Sequence, residues 1–131
     1  MENTVIKFNS NDVFSDNCLD EFKVKKYIEK RGYIYIMKNK YSPDVFKIGR
    51  TANLKERFFG YNSDQPVPST ECILVSSLFN DCHFIEKKIL NWLRLNKPPI
   101  QYRLEWFGIE NMEIVIGFIK EAESKYPYKE V

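Results

Sequence analysis

The fold is decided by the stretch from residue 33 to residue 49, YIYIMKNKYSPDVFKIG. Its two ends, residues 33–37 and 45–49, are rich in β-branched and aromatic residues, which favour strands. Residues 39–44 between them have the composition of a turn, with Asn, Ser, Pro and Asp. Because the two stretches are close in the sequence, we predict an antiparallel hairpin with a long loop.

Alternation of side chains along the strands predicts which residues of the hairpin share a face. Tyr35 and Lys47 should lie together on the face opposite the core. A neighbouring ammonium favours the phenolate, so we expect Lys47 to lower the pKa of Tyr35 from its usual value near 10. A surface packing pair without chemistry is the alternative. The set expected on the core face is Ile34, Ile36, Phe46 and Ile48.

Four further helices and one strand are predicted from caps and apolar spacing. The fold class is α+β, with a small three-stranded antiparallel sheet flanked by helices and an extra helix at the N-terminus. The expected divisions are an arm and helix over 1–31, a main domain over 32–109, and a C-terminal helix over 110–131. The predicted elements are a helix from Ser15 or Asp16 to Arg31, a helix capped by Asn53 to Tyr61, a buried strand over 72–79, a helix capped by Asp81 to Leu95, and a helix capped by Asn111 that ends before Pro127.

Length and composition limit the class of protein. The chain has 131 residues, 44% of them apolar and 29% charged, which suits one globular domain and argues against extended disorder. It shows no apolar run long enough to span a membrane and no signal peptide after Met1. The three cysteines Cys18, Cys72 and Cys82 lack CxxC spacing. We therefore expect buried thiols, no zinc site, and an intracellular protein that is not secreted.

The net charge of +2 conceals alternating blocks. Residues 23–57 carry eleven bases and three acids, and residues 85–103 carry five bases and one acid. The segments around these blocks are acidic. If the two basic blocks meet in the fold, they form a surface that can follow a phosphate backbone; the alternative is a scatter of solvated lysines.

Two residues on predicted helices have chemistry that suits such a surface. Arg57 lies four residues before Tyr61, so the two are neighbours on the helix surface, and an arginine there can bind a phosphate bidentately. Glu86 is the only acid between Asp81 and Glu105, and its helical phase places it beside the apolar stripe. A lone carboxylate among bases can hold a metal where phosphate docks. A solvated arginine and an ordinary Glu–Lys pair are the alternatives.

The ordered motifs around these residues resemble the GIY-YIG nuclease superfamily. They are Tyr33-Ile34-Tyr35, Lys47-Ile48-Gly49 within a KIGRT stretch, the segment from Asn53 to Arg57, Glu86, and the Glu105-Trp106-Phe107 motif. The combination is most similar to the branch found in phages and large DNA viruses. The resemblance covers about residues 32–109. It implies an endonuclease that hydrolyses phosphodiester bonds in DNA with one Mg²⁺ or Mn²⁺ ion.

The resemblance also implies roles for individual residues. Tyr35 would deprotonate the attacking water, Arg57 would hold the scissile phosphate, and Glu86 would bind the metal weakly, with waters completing its shell. Lys47 stands where many members have a tyrosine and would add positive charge beside Tyr35. At Gly49 the backbone would run close to the substrate. The residues expected to contact nucleic acid are Gly49, Arg50, Tyr61, Lys87 and Arg94.

Two departures from the family pattern keep another function open. Tyr61 stands where classical members often have a histidine, and Leu90 stands where many relatives in this branch have one. The single histidine, His83, lies three residues before Glu86. The alternative is a nucleic-acid-binding or host-factor-binding module on the same fold, with little or no cleavage. We expect DNA as the partner in preference to RNA. A homodimer would be the simplest way to cut both strands of a duplex.

Overall fold

A computed structural model describes residue 14 and residues 30–63, 68–97 and 105–130. The helix predicted from Ser15 or Asp16 lies almost entirely outside these residues, as does Cys18. Phe14, which falls within the predicted arm, is fully buried, and its ring packs edge-on against Tyr126. No helix among these residues is both long and apolar enough to cross a membrane.

The described chain is α+β, as predicted, with one strand more than expected. Two of the predicted helices have good side-chain caps: Asn53 accepts from the Glu56 amide and Asp81 from the Phe84 amide, both at 3.0 Å. The Asn111 side chain makes no capping bond, because a short 3₁₀ turn leads directly into the last helix. The elements are β1 (Tyr33–Asn39), β2 (Ser42–Thr51), α1 (Leu54–Asn62), β3 (Thr70–Val75), α2 (Cys82–Asn96), β4 (Trp106–Gly108), the 3₁₀ turn (Ile109–Asn111) and α3 (Met112–Lys125).

The sheet has the strand order β3-β1-β2-β4, and every neighbouring pair is antiparallel. The fourth strand was not among the predicted elements: Phe107, from the Glu105-Trp106-Phe107 motif, pairs with Phe46 of β2. The predicted hairpin is confirmed, but its long loop is not. Both strands continue through the polar residues, and only Lys40 and Tyr41 form the turn.

The predicted third strand is present, but it covers Thr70–Val75 and not 72–79, and the prediction that it is buried is wrong. β3 ends at Val75, and its residues are mostly exposed because it forms the edge of the sheet. Cys72 lies on this edge and is exposed, whereas Cys82 is buried as expected. Phe79 is buried outside the strand, where it forms an isolated bridge with Gly32.

The main core lies on the face of the sheet predicted to be apolar. The isoleucines of β1 and Phe46 and Ile48 of β2 are fully buried, and α2 packs against both strands. Helix α3 packs in turn on α2, where Trp92 meets Phe118 with ring centroids 4.9 Å apart. Burial of this many apolar side chains fixes β1, β2 and α2 relative to one another. These three elements carry most of the predicted site residues.

Candidate active site

Tyr35 lies on the face of β1 opposite the main core, as alternation predicts, but it is not a surface residue. Its side chain is fully buried, at 0% exposure. The ring packs edge-on against Phe58 of α1, with centroids 5.1 Å apart. Its hydroxyl lies 2.6 Å from the hydroxyl of Tyr61. Helix α1 therefore covers Tyr35 and leaves its oxygen beside the side chains of the helix.

Gly49 is the reason that Tyr35 can occupy this position. The two residues are directly paired across β1 and β2, and a Cβ at residue 49 would overlap the ring and hydroxyl of Tyr35. From the sequence, we expected the backbone at this glycine to lie close to the substrate. In the structure it makes room for the tyrosine, since only glycine lacks a Cβ.

The environment of Tyr35 contradicts the expected lowering of its pKa. Burial is the largest cause and raises the pKa far above the usual 10, and the hydrogen bond with Tyr61 raises it further. The charge of Arg57 lowers it and that of Glu86 raises it. Desolvation outweighs the nearby cations because it disfavours the phenolate directly. Tyr35 is therefore a neutral phenol at neutral pH in this structure.

Lys47 has a partner other than Tyr35. Its Nζ lies 2.8 Å from Oε1 of Glu105, at the start of β4. The same ammonium is 6.0 Å from the centroid of the Tyr35 ring and 5.9 Å from that of Tyr61. Lys47 thus stands beside the tyrosine pair, as alternation predicts, but its charge is shared with a carboxylate. That sharing weakens its effect on the phenol.

Glu86 is buried on α2 and forms an ion pair with Arg50 of β2. Its exposure is only 5%, and Nη1 of Arg50 donates to Oε1 at 2.7 Å. Burial is the largest influence and raises the pKa of Glu86, while Arg50 opposes that rise. The expected position beside the apolar stripe is correct. Its partner is an arginine on the sheet, however, and not a lysine on its own helix.

The four predicted catalytic residues come from four different elements. Tyr35 and Lys47 lie on the sheet face covered by α1, Arg57 lies on that helix, and Glu86 lies on α2, which packs on the core face. Side chains of both helices line a small cavity, where Arg57 stands with Arg50, the partner of Glu86. The charge of Glu86 acts on Tyr35, and the charge of Lys47 acts on Glu86. Their convergence around one phosphate remains a prediction.

Arg57 is exposed on α1 and lies between two cavities. The larger, about 440 Å³, is lined by Arg57 and Tyr61 together with Thr51, Asn53 and residues of α1. The Asn53 cap and the hydrogen bond from the Asn53 amide to Thr51 Oγ1, at 3.0 Å, fix the start of the helix. Arg57 and Tyr61 are neighbours on one helix face, as the spacing predicts.

The remaining predicted nucleic-acid contacts are spread along α2 and β2. Lys87 and Arg94 are exposed on α2. Arg50 lines the smaller cavity, of about 220 Å³, together with Arg57 and His83.

A family model for the T5orf172 domain matches residues 32–122, well over half of the chain. The chain belongs to the T5orf172 domain family. This is a phage-associated domain related to GIY-YIG-like and HNH-like nucleases. No curated protein and no solved structure matches the chain.

The T5orf172 domain of this chain offers oxygen ligands that suit a hard cation. Glu86 is the buried carboxylate, and Glu105 is close enough for its charge to raise the pKa of Glu86. Mg²⁺ binds through one or two carboxylates and keeps several waters, so this donor set fits. Within the described ranges there is no cluster of three or more His, Cys, Asp or Glu side chains that could hold a metal ion.

Sequence reasoning missed two residues of this neighbourhood. Glu105 was considered only as part of the Glu105-Trp106-Phe107 motif. Its ion pair with Lys47 depends on the pairing of β4 with β2, which the sequence did not predict. Arg31 was placed at the end of a helix, but it lines the smaller cavity. The sequence signal that could have indicated Arg31 is the basic block over 23–57. That block indicates a basic segment but does not distinguish Arg31 from its other basic residues.

Proposed function

We propose that this chain is a metal-dependent endonuclease that hydrolyses phosphodiester bonds in DNA. Tyr35 would act as the general base, Arg57 would hold the scissile phosphate, and Glu86 would hold Mg²⁺ or Mn²⁺. The observation that carries this proposal is the position of Arg57 between two cavities. It lines one of them with Tyr61, whose hydroxyl lies 2.6 Å from that of Tyr35. It lines the other with Arg50, which is paired with Glu86.

The chemistry needs fixed positive charge, since hydrolysis develops negative charge on the phosphoryl and leaving oxygens. The metal, when bound to Glu86, supplies part of that charge. Arg57 supplies a planar guanidinium, which can bind two phosphate oxygens. Lys47 is held beside Tyr35 and Tyr61 by Glu105 and contributes a further positive charge.

Tyr35 must lose its proton to act as a base, and its surroundings favour the neutral phenol. This requirement favours a slow reaction at neutral pH, with only a small reactive fraction of the protein. It also gives weight to a second candidate function. A nucleic-acid-binding module with little cleavage would keep the arginines and lysines of this surface without needing the phenolate.

A plasmid-nicking assay tests the proposal. Supercoiled DNA is incubated with the protein and Mg²⁺ or Mn²⁺, and the nicked and linear forms are measured over time, with EDTA as the metal-free control. Arg57→Ala should slow nicking by roughly 10²–10³, the usual effect of losing one transition-state contact. Lys55→Ala is the matched control, because Lys55 is exposed on the same helix and lines neither cavity.

The outcome also separates the two functions. Nicking that needs metal and Arg57 supports the endonuclease. Linear product formed without accumulation of nicked circles would support the homodimer, since two sites would then act on one duplex. If the wild type cuts neither duplex, branched nor single-stranded DNA with either metal but still binds DNA, the binding module is the correct function.

A further inference from the structure

The smaller cavity is lined by basic side chains from three separate parts of the chain. Arg31 precedes β1, Arg50 lies near the end of β2, and Arg57 lies on α1. His83, in the first turn of α2, completes the basic wall. The volume of about 220 Å³ is enough for one phosphate group and its waters.

The charges around this cavity do not balance. Arg50 is paired with Glu86 at 2.7 Å. Arg31 donates to the hydroxyl of Tyr128 at 2.9 Å. Among the described residues, Arg57 forms no ion pair. An anion entering the cavity would therefore meet two guanidinium groups whose charge no carboxylate of the described chain neutralises.

The behaviour of His83 agrees with this excess of positive charge. Burial lowers the pKa of His83, and the charges of Arg50 and Lys30 lower it further. Asp81 is the nearby acid and opposes that effect. Its side chain caps α2 and does not line the cavity.

The position of Arg57 relates this cavity to the proposed catalytic site. Arg57 and Thr51 line both this cavity and the larger one beside Tyr61. A polyanion whose scissile phosphate meets Arg57 would have its neighbouring phosphate close to Arg31 and Arg50. Planar guanidinium groups match phosphate geometry better than any other side chain does.

We propose that the cavity formed by Arg31, Arg50, Arg57 and His83 binds a second phosphate of the nucleic acid, next to the scissile phosphate on the same strand. The proposal rests on the proposed function for the identity of the scissile phosphate. It adds a site that holds the strand in register beside Tyr35. It also gives Arg31, which the sequence analysis placed only at the end of a helix, a role in binding phosphate.

Binding of a fluorescein-labelled DNA duplex, measured in EDTA over a range of salt concentrations, tests the second site without cleavage. Arg31→Gln should weaken binding and reduce the slope of log affinity against log salt by about one, the effect of losing one phosphate contact. Lys120→Gln removes one positive charge from an exposed position of α3 and is the control. It should leave the slope unchanged.

A second arm compares duplexes with and without a 5′-phosphate. An internal phosphodiester as ligand predicts that Arg31→Gln weakens both duplexes equally. Loss confined to the 5′-phosphorylated duplex would overturn the proposal, because the cavity would then take a terminal phosphate. Equal slopes for Arg31→Gln and Lys120→Gln would overturn it as well.

The result is separable from the fate of the nuclease proposal. Reduced slope in Arg31→Gln with a wild type that never cleaves supports the second phosphate site and rejects the endonuclease. Cleavage by the wild type, together with an unchanged salt slope in Arg31→Gln, supports the endonuclease and rejects the second phosphate site. Thermal unfolding of Arg31→Gln, followed by circular dichroism, confirms that the variant is folded when binding is measured.

Discussion

The hydroxyl of Tyr35 is enclosed by Phe58 and Tyr61, and this enclosure sets its acidity. A buried phenol next to a second hydroxyl keeps its proton, because ionisation would place a charge where little water can reach it. A base with a high pKa is strong once deprotonated but is deprotonated rarely. The rate of the proposed reaction should therefore depend steeply on pH.

Cleavage by the wild type should rise about tenfold per pH unit between roughly pH 6.5 and 8.5, because the phenolate is a minor form throughout that range. Single-turnover rates with Mn²⁺, measured across this range, test the prediction. Tyr35→Phe should lose roughly 10²–10⁴ in rate and bind DNA as the wild type does. A flat pH profile, or a Tyr35→Phe variant with the wild-type rate, would show that another group activates the water.

At the scale of elements, the cap at the start of α1 contributes more to holding this helix in place than burial of its side chains does. None of its residues is buried, yet it carries Arg57 and Tyr61 and covers Tyr35. The Asn53 cap therefore has an unusual share in placing the site. Short helices without a buried face depend on caps and on contacts with their neighbours.

Asn53→Ala should destabilise α1 by about 0.5–2 kcal/mol, the usual effect of losing an N-cap. Hydrogen exchange of the α1 amides should become faster while that of the buried α2 stays the same. Cleavage should fall because Arg57 is held less firmly. Asn53→Ser retains a capping oxygen and should restore both properties; slow exchange in Asn53→Ala would show that the cap is not what holds the helix.

Gly49 offers a second test of how the elements fit together. Gly49→Ala should destabilise the protein by about 1–3 kcal/mol, since its Cβ would overlap the Tyr35 ring. Gly117→Ala is the control: the position is exposed within α3 and has open space, and alanine there should stabilise by about 0.5–1 kcal/mol. Denaturant unfolding measures both. Equal stability of the two variants would contradict the proposed packing.

The elements that the sequence predicted are those with long, periodic signals. The hairpin faces follow from strict alternation, and α2 follows from the Asp81 cap and an apolar stripe. β4 was missed because three residues carry no periodicity. The burial of β3 was wrong because an apolar run does not reveal whether its strand lies at an edge.

The pKa values and ion pairs of the site were harder to predict from the sequence than the faces on which its residues lie. Alternation correctly placed Lys47 beside Tyr35, with its ammonium 6.0 Å from the centroid of the ring. The direction of the Tyr35 pKa was wrong, because the position of α1 over the sheet depends on tertiary packing that no local pattern encodes. The Arg50–Glu86 pair was missed for the same reason: it joins a strand to a helix 36 residues later.

At the scale of the whole molecule, the two basic blocks meet where β2 packs against α2. Arg50 and Arg57 come from the first block, and the exposed Lys87 belongs to the second. The net charge of +2 hides this concentration of positive charge near the site. A surface of this kind favours polyanions and makes binding depend strongly on salt.

Single-turnover cleavage by the wild type and by Glu86→Gln, measured against Mn²⁺ concentration, tests the central claim most directly. Glutamine keeps the shape of the buried side chain but removes the charge that would hold the metal. We predict a wild-type rate that rises with Mn²⁺ to a plateau, and a Glu86→Gln rate lower by roughly 10²–10³ at every concentration. Equal rates and equal metal dependence, in a variant that unfolds at the wild-type temperature, would contradict the account.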